Sequence, residues 1–341
     1  MEFLLNDRLT GIHCRFAGSQ IARTLMDALS EILRSARLTG GVFLHAEFSE
    51  PWCVSSALKA SDCSHYLGPA DQMVLFHYVL EGCLTVIDAE KNAHIFLPGQ
   101  AVILPRNDPH LLKGQQPATT VPALDVTDRN GPEELMVIRH GGGGEKTRIV
   151  CGFLGGRGLQ HDPLLNALPP VFRYNGLECR SGSLVKTTLK YAATEMSDGQ
   201  LGSEATLARI SELLFVEAVR DYISNSKSGG LLDALKDRAV SRAIGLIHRY
   251  PGRRWVVETL AQECAVSRTV LTERFNHLLG CSPREFVQNT CMQLAARGLA
   301  EQQLNIADAA ERAGYASEAA FSRAFKRHFG VSPSEWRKEN T

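Results

Sequence analysis

One stretch of this chain occurs twice, and that limits the fold more than anything else in the sequence. Residues 267–283, moved by 50 positions, fall without a gap on residues 317–333. Ser267/Ser317, Phe275/Phe325, Gly280/Gly330, Ser282/Ser332, Pro283/Pro333 and Glu285/Glu335 are identical pairs, while Leu271/Phe321 and Phe286/Trp336 keep their apolar character. Each copy reads as a short helix, a turn, a second helix with apolar residues at i and i+4, and a glycine stop. A repeat of this kind predicts two equivalent helical units at the C-terminal end.

In the second copy, Ile306, Ala309 and Ala310 form one helix face, and Gly314 supplies a tight turn that a Cβ would strain. Ser317 caps the next helix, whose Phe321 and Phe325 point inward. Its other face carries Glu318, Ala319, Ser322, Arg323 and Lys326, with Arg327 and His328 near the end. Small residues at the start and cations further on suit a helix laid in a major groove: Arg can reach guanine acceptors and Lys can meet phosphate. The first copy builds the same unit from Val256, Leu260, a turn at Ala265 and Val266, the cap Ser267 and the core pair Leu271 and Phe275. It turns Arg268, Thr269, Thr272, Glu273 and Asn276 outward.

The run from Gly314 to Pro333, together with Ile306-Ala307, resembles the signature of the AraC/XylS transcription regulators, and the likeness covers roughly residues 238–339. That resemblance implies two helix-turn-helix units joined by a long helix over residues 283–300. It implies double-stranded promoter DNA and RNA polymerase as partners.

Charge agrees with this placement. The chain has no net charge, yet from Arg238 onward there are 15 Lys or Arg against 10 Asp or Glu, with the reverse excess before it. The basic end is the end with the repeat, as a phosphate-facing surface requires. At 341 residues two domains are expected. No apolar run is long enough to cross a membrane, and residues 1–11 show no secretory pattern, so a cytoplasmic protein with no membrane partner is expected. Nine scattered cysteines show no metal-ligand spacing, so neither a zinc site nor a secreted disulfide framework is indicated.

Toward the N-terminus, residues 21–38 have helical apolar spacing, with Gly40-Gly41 as the expected stop. Short strands are expected over residues 42–48, 73–80, 84–88, 93–97, 101–104 and 147–154, separated by turn signals such as Glu81-Gly82 and Pro98-Gly99. That spacing predicts a small β-barrel or sandwich. The words Tyr78-Val79-Leu80-Glu81-Gly82 and Leu97-Pro98-Gly99, running on to His110, resemble the two conserved segments of the cupin barrel. With the C-terminal signature they imply a cupin-type sensor domain. Metal-binding cupins carry a His-x-His pair and a Glu before the first segment and a His after the second. Only His110 matches that set here, and Leu75 stands at the position of the Glu. One imidazole does not hold a catalytic metal, so no metal, no cofactor and no enzyme activity are expected. His77 alternates with Leu75 and Val79, which points it inward with His110. These two are read either as hydrogen-bonded core histidines or as contacts to a small-molecule effector, and His45, Arg106 and Asn107 as further candidates.

Residues 161–170 read as a Pro-rich connector, and residues 183–196 and 203–225 as amphipathic helices. The second has a wide apolar arc, including Leu207, Ile210, Leu213, Leu214, Val216, Val219 and Ile223. It suits either a homodimer interface, as the family resemblance implies, or packing on the barrel. Residues 224–230 form a flexible linker. The expected organisation is therefore α+β: a cupin-like barrel with flanking helices over residues 1–170, a helical dimerisation region over 171–230, and an all-α tandem helix-turn-helix domain over 231–341. The function expected is a sequence-specific transcription regulator, read as an activator, under a signal sensed in the barrel. An oxidative signal through Cys53, Cys63, Cys83 or Cys151, and a cupin enzyme fused to a DNA-binding tail, are the rival readings. Cys151 is expected to be a buried strand residue, the others to lie in or near exposed turns.

Overall fold

The computed structural model describes residues 27–59, 72–128, 136–157, 159–176, 181–198, 203–301 and 304–339, together with residues 70 and 178. Its N-terminal half is built from strands β1 (Thr39–Ser49), β2 (Cys53–Ser56), β3 (Gln72–Glu81), β4 (Leu84–Ile87), β5 (Ala93–Phe96), β6 (Gln100–Leu104), β7 (His110–Lys113), β8 (Val121–Pro122), β9 (Thr127–Asp128), β10 (Met136–Gly141), β11 (Lys146–Gly156) and β12 (Phe172–Asn175). They form two sheets, β12-β6-β3-β11-β1-β10-β9 and β5-β4-β7-β2-β8. One apolar core joins residues of both sheets, among them Leu75, Val79, Phe153 and Phe48 of the first and Val54, Leu84, Val86 and Leu112 of the second.

Strand β3 reads as a nearly unbroken apolar run because it is buried on both faces. Leu75, His77 and Val79 face the sheet-to-sheet core, while Val74, Phe76 and Tyr78 face the helices outside. Those helices are Gly182–Asp198 and Ser203–Asn225. The second buries Leu207, Ile210, Leu214, Phe215, Ala218, Val219 and Ile223 in the outer core, while Leu213 and Val216 of the same arc are half-buried, so most of the arc packs on the barrel of its own chain.

Three local expectations change. The leading helix spans Ala28–Ala36 among the described residues and ends at Arg37 (φ 49°); the chain then enters β1 directly, so Gly40-Gly41 lie in a strand and stop nothing. Residues 21–26 of the expected helix lie outside the described residues. The expected connector contains a short helix, Pro163–Ala167, capped by Asp162, whose carboxylate accepts from the Leu164 and Leu165 amides with Pro at the first helical position. Cys53 sits buried on a strand rather than in an exposed turn, because β2 is an inner strand between β7 and β8.

The C-terminal part is helical throughout its described length, with helices Gly230–Ala234, Arg238–Arg249, Val257–Glu263, Arg268–Leu279, Pro283–Ala300, Ile306–Arg312, Glu318–Phe329 and Pro333–Glu339. Leu271 and Phe275 of the first repeat belong to the same apolar cluster as the barrel's helix-facing side. Phe321, Phe325 and Trp336 of the second repeat form a separate cluster with Met292 and Leu299.

Candidate DNA-binding units and the sensor cavity

Each repeat folds as two helices around a sharp turn. In the first, Val257–Glu263 leads through Ala265 (φ 56°) to the cap Ser267, whose hydroxyl accepts from the Val270 amide at 3.2 Å, and Gly280 (φ 67°) ends the helix. In the second, Ile306–Arg312 leads through Gly314 (φ 79°) to Ser317, which accepts from the Ala320 amide at 3.2 Å, and Gly330 (φ 82°) is the stop. The turns match through their backbone bonds, Val266 to Ala261 and Tyr315 to Ala310. Relative to that match, Ala316 is one extra residue before the second cap. Between the units runs the helix Pro283–Ala300, opened by a capping box of Ser282 and Glu285. Ser332 and Glu335 exchange the same two bonds in the second copy.

The outward faces lie where the sequence pattern puts them. Arg268, Thr269 and Glu273 are exposed and Thr272 half-buried on the first helix; Glu318, Ala319, Arg323, Lys326 and Arg327 are exposed and Ser322 half-buried on the second. They differ in their free charge. Arg268 is paired with Glu258 at 2.6 Å, and Thr272 donates back to the Arg268 carbonyl at 2.9 Å. Arg323 and Arg327 make no ion pair among the described residues.

In the barrel, the register decides which candidates meet. Cys151 stands opposite both His77 of β3 and Leu44 of β1, so these three share the inner face. His45 stands opposite Val150, which pairs with Tyr78 on the outer face. His45 is thus separated from His77 and His110, a correction of its place among the interior candidates: β1 alternates, and Leu44, Ala46 and Phe48 take the inner positions.

His77, His110 and Cys151 form one hydrogen-bonded chain. His110 Nδ1 lies 2.8 Å from the Asp108 carbonyl, which only accepts, so Nδ1 carries the proton and Nε2 is left to accept. His77 Nε2 then donates to it at 3.0 Å, and His77 Nδ1 accepts from the Cys151 thiol at 2.7 Å. Burial holds both imidazoles below their ordinary range, with the two rings also opposing each other's charge at His77. Burial pushes the Cys151 thiol up. The chain is closed and neutral, and among the described residues no group of three His, Cys, Asp or Glu side chains is placed to share a metal.

Beside His110 lies a cavity of about 280 Å³ lined by Leu104, Arg106, His110, Pro170 and Val171 and by the carboxylates of Asp88, Glu90 and Asp108. Arg106 donates to the Leu165 and Leu168 carbonyls at 3.2 and 2.9 Å. Asn107 (φ 52°) donates to the Leu58 carbonyl instead and does not line the cavity. The sequence reading missed Asp162 and Arg297, which pair at 3.0 Å between the two halves of the molecule, both largely buried. Asp162-Pro163 is a legible helix start; nothing local marks its distant partner.

The family model for the cupin domain matches residues 27–224, and one for the helix-turn-helix domain matches residues 260–339. The chain is 27% identical to the HTH-type transcriptional regulator AlkR of Acinetobacter baylyi, over 92% of this chain and 100% of that one. It is 30% identical to a putative AraC-like transcription regulator of Streptomyces lividans, over 80% of this chain and 89% of that one. The chain belongs to the AraC-like transcription regulators. Another similar relative is the RCS-specific HTH-type transcriptional activator RclR of Escherichia coli, 25% identical over 92% of this chain and 98% of that protein. The regulator thus combines a cupin domain with a tandem helix-turn-helix domain, the architecture expected from its sequence. No described helix is long and apolar enough to cross a membrane.

Proposed function

We propose that the regulator is an activator that lays the helices Arg268–Leu279 and Glu318–Phe329 in successive major grooves of promoter DNA, and that a small molecule in the Arg106/His110 cavity sets its activity. The observation that carries the DNA half is the second helix: Arg323, Lys326 and Arg327 stand exposed beside small Ala319 and Ser322, where a base edge and phosphates can be met together. Two recognition helices on one duplex face enter grooves about one turn, roughly 34 Å, apart. Residues assigned to DNA are Arg268, Thr269, Thr272 and Glu273 on the first helix and Glu318, Ala319, Ser322, Arg323, Lys326 and Arg327 on the second. Residues assigned to the effector are Arg106 and His110, with His77 supporting His110 from behind.

The name of the Escherichia coli relative supports activation, and hence RNA polymerase as a partner. An oxidant signal has less support: burial raises the thiols of Cys83, Cys151, Cys264, Cys281 and Cys291, whereas a sensor needs an accessible thiolate. A dimer would use a surface other than the buried residues of Ser203–Asn225; Leu184, exposed on the helix Gly182–Asp198, is one candidate among the described residues. The test is genomic footprinting with and without candidate small molecules. Protected sites spanning two successive major grooves, with occupancy that changes with a compound, support the reading. Protection confined to a single groove would refute tandem binding.

A further inference from the structure

The segment 162–171, which holds the short helix Pro163–Ala167, reaches the sensor cavity at one end and the DNA-binding domain at the other. At its C-terminal end, Arg106 of the cavity wall donates to the Leu165 and Leu168 carbonyls, and the chain runs on through Pro170 and Val171, which line the same cavity. At its N-terminal end, the Asp162 carboxylate caps the helix with one oxygen and takes Arg297 with the other at 3.0 Å. Arg297 belongs to the helix Pro283–Ala300 that spaces the two DNA units, and its other terminal nitrogen donates to the Ser35 carbonyl of the leading helix. Leu164 and Leu165 are fully buried, so the five-residue helix is an ordered, packed element and not a loose loop.

We infer that residues 162–171 form a lever that reports occupancy of the cavity to the connecting helix, an inference that rests on the reading of this cavity as the effector site. Asp88, Glu90 and Asp108 line the cavity and Asp108 lies 3.7 Å from Arg106, so the fitting ligand is a neutral one; a carbonyl group on it that draws the Arg106 guanidinium takes donors away from the Leu165 and Leu168 carbonyls. The freed end lets the short helix move as a unit, and its cap moves with it. A buried charge pair does not stretch gradually, because either partner left alone in the interior is strongly unfavourable. The contact is therefore made or broken, and the connecting helix has two arrangements, which a ligand selects by its preference for one of them.

The lever is tested on the full-length protein by hydrogen exchange, with no ligand, in R106M, V171F, R297M and the R106M/R297M double variant. R106M is expected to speed exchange several-fold in residues 294–301 as R297M does, with the double variant no faster than R297M alone, since both act on one contact. Acceleration by R106M that stops within residues 162–171, or effects that add in the double variant, would overturn it. V171F narrows the cavity and leaves every hydrogen bond of the segment in place, which guards against R106M merely failing to fold. Because the lever acts by freeing the Leu165 and Leu168 carbonyls, V171F alone is expected to leave exchange in residues 294–301 unchanged, and acceleration there equal to that of R106M would show general loosening of the segment and overturn the lever. The cavity reading is separated by promoter output of V171F with the compounds found by footprinting: an undiminished response removes the cavity as the effector site and leaves the exchange result standing.

Discussion

The two helix-turn-helix units have one sequence pattern and two different foundations. In the first, Leu271 and Phe275 lie in a core continuous with Ile244 of its own domain and with Tyr78 and Leu214 of the sensor. In the second, Phe321, Phe325 and Trp336 close a core of their own, and contact with the sensor is largely polar: Arg297 to Asp162, Arg157 to the Ala300 carbonyl, Arg37 to Glu301 at 2.7 Å, and the His161 ring against Trp336. A repeat fixes the fold of each unit but not what the unit leans on. A shared apolar core couples the first unit to the sensor in folding, whereas polar contacts allow the second to move without exposing a core.

The largest effect should come from emptying each core. Phe275→Ala and Phe325→Ala each remove a fully buried ring and should cost about 3–5 kcal/mol. Phe325→Ala is expected to abolish exchange protection over residues 304–339 and spare the barrel. Phe275→Ala is expected to lower protection of the first unit and of the outer sensor helices together. If it leaves the sensor helices unchanged, the shared core is not a cooperative unit and the contrast collapses.

Acid should separate the units next. His248, on the helix Arg238–Arg249 beside the first unit, donates from Nδ1 to the Ser35 hydroxyl of the leading helix at 3.1 Å, since that hydroxyl gives its own proton to the Ile32 carbonyl. Burial, aided by Arg297, pushes the imidazole down to about 4. The folded state therefore prefers neutral His248, while the unfolded chain takes up a proton near 6.5. Stability is insensitive to this group above pH 6.5, falls between 6.5 and 4, and levels off below. The loss by pH 5 is about 2 kcal/mol, at one pKa unit per 1.4 kcal/mol. Denaturant titrations at pH 7 and pH 5, with His248→Gln as the control, should show a slope that the variant lacks.

DNA binding sharpens the contrast from the other side. Arg323→Ala is expected to weaken operator binding by about 1–3 kcal/mol and relax preference at one base pair, and Arg268→Ala by less, because Arg268 must first leave Glu258. Lys326→Ala should weaken operator and scrambled duplex alike and lower the salt slope by about one. Titrating the variants against both duplexes across a salt series decides this; equal losses on both for Arg323→Ala would reduce that residue to a backbone contact.

How much of this was legible follows from range. Caps, stops and apolar periodicity act within a turn or two, so Ser267, Ser317, Gly280, Gly330 and the inward phenylalanines could be read directly, as could six of the twelve described strands. Alternation also put His77 on the inner face beside His110. The face of His45 was not legible because a half-polar strand such as β1 does not say which of its faces is inside until its partner's register is known. The Asp162–Arg297 pair spans 135 positions, and no local signal joins such residues. The same holds for the wide apolar arc of Ser203–Asn225: its pattern tells that it must be covered, and only the fold tells by what.

The smallest expected effect lies in the turns, where the two copies use different residues for one backbone conformation. Ala265 and Gly314 both have positive φ, 56° and 79°. A Cβ in this region meets the following carbonyl, at a cost of about 1–2 kcal/mol, while glycine is unstrained but gives up more freedom on folding, about 0.5–1 kcal/mol. The two terms nearly offset, which is why either residue can serve. No atom lies within 4 Å of a Cβ built on Gly314, so its substitution is governed by backbone strain and chain entropy and not by steric contact. Gly314→Ala should therefore destabilise the second unit and Ala265→Gly stabilise the first, each by about 0.5–1 kcal/mol, the strain gained or lost less the entropy difference. Exchange at the Tyr315 and Val266 amides, which close the two turns, reads the changes separately. Opposite signs are required, since the backbone is the same and only the residue is exchanged. A stabilising Gly314→Ala would mean that chain entropy outweighs strain here, and the two turns could no longer be treated as equivalent.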